Sequence, residues 1–189
     1  MNGGLILCGV GGMGILKASE IIAEVLLQSG LLVRQSEVHG MAQRGGSVVT
    51  HLRYGEEVYA PLLTRGEADF MLAFEEMEAL RYLSYLKKQG TIVLNVLRLY
   101  PPGIVKNEYP EQIPELLRSK GYRVFSIPAT GIAQHLGDMR TTNLVLLGAL
   151  SRIFPIGDEG IWREAIDKAL RGKALELNLK AFAEGRNQI

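Results

Sequence analysis

Two glycine-rich stretches hold the residues best suited to chemistry. The first, GVGGMG, sets Gly9, Gly11 and Gly14 at G-x-G-x-x-G spacing, with Gly12 inside the turn. Between a strand and a helix, such a turn offers bare backbone N–H groups and a helix N-terminus to an anion. The second, HGMAQRGGSV (39–48), places His39, Gln43 and Arg44 among Gly40, Gly45 and Gly46. A guanidinium can take a phosphate or carboxylate through two parallel hydrogen bonds. An imidazole can exchange a proton or donate a hydrogen bond, and glycine lets a ligand approach the backbone closely. Gly9, Gly11, Gly12, Gly14, His39, Gln43, Arg44, Gly45 and Gly46 therefore form the candidate ligand-binding set. No catalytic residue is assigned.

The first turn lacks two companions. A dinucleotide fold places an acid about 20 residues on, for the ribose hydroxyls. Here that region reads QSGLLVRQ, and the first acid is Glu37. No Lys-Ser/Thr pair follows, so the turn is not a nucleoside-triphosphate loop. The chain has one cysteine, Cys8, in an apolar run. That excludes a disulfide framework and an iron–sulfur cluster ligated by this chain alone. No histidine or cysteine pair has metal-ligand spacing, and no metal site is expected. His51 and His135 read as structural. EEMEALR (75–81) reads as a solvated, acidic first turn of a helix. Ser36, just before the second stretch, and Ser47, near its end, have no evident base.

The elements that must position these residues follow from periodicity. Apolar runs predict strands at 4–10, 31–38, 47–55, 68–74, 90–97 and 122–129, with EEVYAP pairing against 47–55 as a hairpin. Helical spacing of Ile15, Ala18, Ile22, Val25 and Leu26 predicts a helix closed by Gly30. Further helices are expected over 75–89, 111–120, 142–154, 158–170 and 173–184. Strands alternating with helices indicate an α/β fold, a Rossmann-like three-layer sandwich with a largely parallel sheet and a helical C-terminal tail. The second stretch follows the second strand, so both glycine segments are expected at one edge of the sheet, where ligands bind in such folds. The tail is expected to pack across the domain or embrace another subunit.

The net charge of +1, without a lysine/arginine run, gives no reason to expect nucleic acid or an anionic membrane as partner. The longest apolar run, NLVLLGAL, is too short to span a bilayer. With no signal-peptide pattern and a lone thiol, the protein is expected to be cytoplasmic. No repeat or linker divides residues 1–189, which read as one domain.

GVGGMG followed by SEVHGMAQRGGSVVTHLRYG resembles the gamma-type subunit of 2-oxoacid:ferredoxin oxidoreductases, and most of all the beta subunit of the indolepyruvate branch. GEADFMLAFEEMEALRYL, TTNLVLLGAL and ALELNLKAFAEG extend the likeness over essentially the whole chain. Family turns usually read G-x-G-G-Q-G, and Met13 stands where the glutamine would be. The resemblance implies a single gamma-type domain. It implies oxidative decarboxylation of a 2-oxoacid, such as indolepyruvate or another aryl pyruvate, to acyl-CoA, with electrons passed to ferredoxin. It also implies that thiamine diphosphate, magnesium and 4Fe–4S clusters sit on a large partner subunit, with coenzyme A on or shared with it. No cofactor is assigned to this chain alone, and a homodimer of the isolated chain stays open. Two alternatives stand beside this reading: a self-sufficient NAD(P)- or flavin-binding oxidoreductase, and a module that takes up a CoA-like or nucleotide ligand.

Overall fold

The computed structural model describes residues 2–40, 45–100, 109–170 and 174–189. Its centre is β1 (Gly3–Val10), an apolar run buried on both faces, as expected of an inner strand covered by helices on both sides. α1 (Ile15–Gln28) follows and turns Ile15, Ala18, Ile22, Val25 and Leu26 inward. Gly30 closes it at φ 80°. Leu31 N–H donates to Leu26 O and Gly30 N–H to Leu27 O, so the last carbonyls are satisfied. β2 (Leu32–His39), β3 (Ser47–Gly55), β4 (Ala68–Ala73), β5 (Leu86–Asn95) and β6 (Arg123–Ile127) complete one six-stranded sheet in the order β2-β3-β1-β4-β5-β6.

The expectation of a largely parallel α/β sheet holds. β1, β4, β5 and β6 run parallel, and only β3 is reversed, pairing antiparallel with both β1 and β2. The hairpin partner of β3 is therefore β2, not EEVYAP. Both edges of β3 are occupied, which leaves no ladder for residues 56–61 to join.

Alternating β1 side chains feed two cores. Leu5 and Leu7 face α1, α5 (Thr142–Ile153) and α6 (Glu159–Ala169), while Ile6 and Cys8 face α2 (Glu76–Arg81) and α3 (Ile113–Ser119). Two elements differ from expectation. The helix after β4 ends at Arg81, and Leu86–Gln89 belong to β5, where Gln89 takes φ 63° beside a register shift. β6 stops at Ile127, and a further helix, α4, occupies Ala129–His135 after Pro128. The C-terminal helix α7 (Ala174–Arg186) lies on α5 of its own chain, burying Ala181 and Phe182. α5 is buried from Thr142 to Ser151 because it is sandwiched between the sheet and α7.

His51, buried in β3, accepts Leu63 N–H at Nδ1 (3.2 Å) and meets Tyr85 edge-on with ring centres 5.1 Å apart. Burial holds its imidazole below the usual value. A histidine with a depressed folded pKa takes its proton more readily when unfolded. Its contribution to stability is therefore present above about pH 6.5 and is lost as pH falls through the folded value. Urea midpoints should drop between about pH 7 and pH 5. The drop should be shallower in His51→Asn, whose amide oxygen can keep the Leu63 bond. Equal slopes in the two proteins would contradict this.

Candidate functional site

β1 and β2 end where β3 begins: Val10 lies opposite Ser47, and His39 opposite Val48. This register brings the two glycine segments together. Gly11 N–H donates to Gly46 O at 2.8 Å, and Gly45 N–H to Gly11 O at 3.3 Å. The turn reaches α1 through Gly14, whose φ of 77° is left-handed and suits a residue without a β-carbon. α1 has no side-chain cap and no acid in its first turn. Its first N–H groups therefore have no acceptor within the helix and carry the positive end of its dipole.

A cleft of about 580 Å³ opens on one side of this turn. Gly11, Gly12 and Gly14, the first turn of α1, Glu37 and His39 at the end of β2, and Val48 line it. Lys17 lies on its wall, paired with Glu20 at 2.5 Å. His39 is exposed, its Nδ1 3.1 Å from Gly40 O. The helix N-terminus, Lys17 and His39 suit an anionic group, although Glu37 and the Glu20 that pairs with Lys17 line the same cleft.

The remaining expected residues take other places. Gly9 serves packing: a β-carbon there would lie 2.7 Å from Phe74 Cβ. Gly45 and Gly46 hold the turn through their backbones. Gln43 and Arg44 lie outside the described residues. Met13, in place of the family glutamine, turns its sulfur back to accept Val10 N–H at 3.4 Å.

A second crevice, about 560 Å³, opens on the other side of the turn. Met13, Leu97, Leu99 and Met139 supply apolar walls, with Thr130, Thr142 and Arg140 also lining it. Two buried asparagines frame it. Asn95 donates to Phe74 O (3.0 Å) and Thr130 Oγ1 (2.9 Å), fixing the start of α4. Asn143 donates to Gly14 O at 3.4 Å, tying α5 to the glycine turn.

The acidic run after β4 is the main correction to the sequence reading. Glu75, Glu76 and Glu78 are buried, not solvated. Glu75 accepts Glu78 N–H (3.0 Å), Leu99 N–H (3.0 Å) and the Tyr109 hydroxyl (2.5 Å). Burial, reinforced by the bond to Glu75 and its charge, pushes the Tyr109 phenol well up. Glu76 pairs with Arg98 at 3.0 Å, yet burial still raises its carboxyl. Glu78 accepts from Arg81 Nε (3.0 Å) and from the Ser47 hydroxyl, so Ser47 does have a carboxylate partner. The N-terminus of α2 thus holds two parts of the site's perimeter, the start of β3 and the crevice wall at Leu97–Leu99. Cys8 lies beneath it, its thiol pushed well up by burial and by Glu78 and Glu75. Among the described residues, no three His, Cys, Asp or Glu side chains form a group that could hold a metal ion. No described helix is long and apolar enough to cross a membrane.

Comparison with known proteins places this architecture. Residues 4–188 match the pyruvate ferredoxin/flavodoxin oxidoreductase family. The chain is 42% identical to the indolepyruvate oxidoreductase subunit IorB of Archaeoglobus fulgidus, over 97% of this chain and 94% of that one. It is 26% identical in sequence to a 2-oxoglutarate:ferredoxin oxidoreductase from Magnetococcus marinus, solved with 2-oxoglutarate, coenzyme A and succinyl-CoA bound, at a TM-score of 0.77. That match covers 99% of this chain but only 31% of the larger one. The gamma subunit of a keto/oxoacid ferredoxin oxidoreductase from Geobacter sulfurreducens shares the fold, with a TM-score of 0.75 at 22% identity over 98% of this chain and 97% of that one. The chain belongs to the pyruvate ferredoxin/flavodoxin oxidoreductase family, as a small chain of the IorB and gamma type.

Proposed function

We propose that residues 1–189 act as one gamma-type unit, the small subunit of a cytoplasmic complex that oxidatively decarboxylates an aryl 2-oxoacid such as indolepyruvate to acyl-CoA and passes electrons to ferredoxin. The observation that carries this reading is the 42% identity to IorB over nearly the full length of both chains. The donor set agrees with it. One buried thiol does not fit a cluster, so the iron–sulfur centres, with thiamine diphosphate and magnesium, belong to a large partner subunit. Thiamine diphosphate, when bound there, supplies the electron sink for decarboxylation.

This chain's part is to bind and orient. The uncapped start of α1 and the turn through Gly11, Gly12 and Gly14, with Lys17 and His39 alongside, fit a phosphate-bearing ligand such as coenzyme A. Gly9, Gly45 and Gly46 shape the turn, and Gln43 and Arg44 supply polar contacts from the adjoining segment. In the reconstituted complex, Arg44→Ala should raise KM for coenzyme A about tenfold, the loss of one charge-assisted hydrogen bond, with kcat and melting temperature unchanged. Unchanged steady-state kinetics would remove Arg44 from the site.

Tagged purification from the native cell tests the whole reading. A companion of several hundred residues carrying clusters and thiamine diphosphate should come with the chain. A lone chain carrying flavin, or turning over NAD(P)H, would instead establish a self-sufficient oxidoreductase.

A further inference from the structure

The two clefts flanking the glycine turn differ in chemistry. The α1 side offers a helix N-terminus, Lys17 and His39, whereas the β5 side offers thioethers and leucines. Arg140, the cation on the second crevice, is tied to Asp138 at 2.7 and 3.0 Å, which holds the Asp138 carboxyl low. Met139 and Leu99 leave 58% and 39% of their surface exposed there, an apolar exposure that an apolar ligand would cover. Methionine sulfur and methyl groups pack favourably against aromatic rings and adapt to their shape. The walls are held in place. Glu76 N–H donates to Leu97 O (3.1 Å), Glu75 accepts Leu99 N–H, and Asn95 fixes Thr130.

We propose that this crevice receives the aromatic ring of the 2-oxoacid, so that this chain and not only its partner selects aryl substrates. The proposal rests on the reading of the chain as an IorB-type subunit. Met13 and Met139 clasp the ring from the glycine turn and from the short turn (Met139–Thr141) that leads into α5, and Leu97 and Leu99 close the side formed by the β5 exit. These four are specificity residues; Glu75, whose carboxylate holds Leu99 N–H, is a positioning residue.

The test uses the full-length chain labelled with 13C at the methionine methyl groups, with Met13 and Met139 assigned by single replacement with leucine. Indole-3-acetate, an unreactive aryl carboxylate, serves as probe, acetate as the ringless control and coenzyme A as the rival ligand. Saturable shifts confined to the Met13 and Met139 methyls are expected with indole-3-acetate and not with acetate. Leu99→Asp should weaken binding at least tenfold. No shift at these two methyls, shifts only at other methionines, or a response to coenzyme A but not to the indole would each overturn the proposal. An inactive reconstituted complex would defeat the subunit reading alone, because ring binding is measured without turnover.

Discussion

Gly185→Leu should cost the protein a large part of its stability, because residue 185 sits where α7 crosses α5. α5 and α7 cross with their backbones in contact, each through a glycine. A β-carbon on Gly148 would fall on the Phe182 carbonyl, and one on Gly185 on the Val145 carbonyl. Neither obstacle is a side chain that can swing away, so α7 must lift. Lifting it exposes Phe182, which is 1% exposed, and Ala181, and unlocks the buried α5 beneath. Overpacking and lost burial together amount to about 3–6 kcal/mol, against a total of about 5–15 kcal/mol for a typical protein. A fall in melting temperature of roughly 10–20 °C follows for a chain of this size. Gly131→Ala is the control. It lies in α4 with open space around it, and should be neutral or gain about 0.5–1 kcal/mol. A Gly185→Leu protein melting within a few degrees of the parent would show that α7 is not seated on α5, and would reopen its use as an arm for another subunit.

Glu75→Ala should be nearly as damaging, for an electrostatic reason. One carboxylate, 1% exposed, accepts from three donors that come from three parts of the chain: α2, the β5 exit and Tyr109. Removing it strands two buried donors, the Glu78 N–H and the Tyr109 hydroxyl, and the part-buried Leu99 N–H, each costing up to about 1–3 kcal/mol. Partial relaxation toward water brings the expected loss to about 3–5 kcal/mol. Glu75→Gln retains an acceptor for Tyr109 and Leu99, and should lose about 1–2 kcal/mol. Urea midpoints with an unchanged slope give the comparison. If alanine and glutamine behave alike and cost under about 1 kcal/mol, the carboxylate is not the hub described.

The glycine turn was legible because strand, glycines and amphipathic helix are local signals, and the meeting of the two glycine segments followed from strand order alone. The reversal of β3 was also encoded. Only seven residues, 40–46, separate β2 from β3, too few for the crossover that a parallel pair requires. α4 was harder to see. Seven residues, ATGIAQH, carry a glycine and two β-branched side chains, and tertiary contacts decide such a segment. The burial of Glu75, Glu76 and Glu78 left no local sign. An acidic first turn is ordinarily solvated, and what encloses this one comes from afar: Ser47, Arg98 and Tyr109. Asn95 and Asn143 were missed for the same reason, since an asparagine's worth depends on the backbone groups that the fold happens to bring to it. The apolar crevice needed Met13, Leu97 and Met139 in one place, and no periodicity joins them.

Under the proposed function, this chain completes a reaction centre housed elsewhere. The most direct measurement is 2-oxoacid- and coenzyme-A-dependent reduction of ferredoxin by the purified chain, by its large companion, and by the two mixed. Activity confined to the mixture, or raised there by orders of magnitude, is the predicted result. Oxidation of an aryl 2-oxoacid by the small chain alone, or full activity of the large chain without it, would contradict the account.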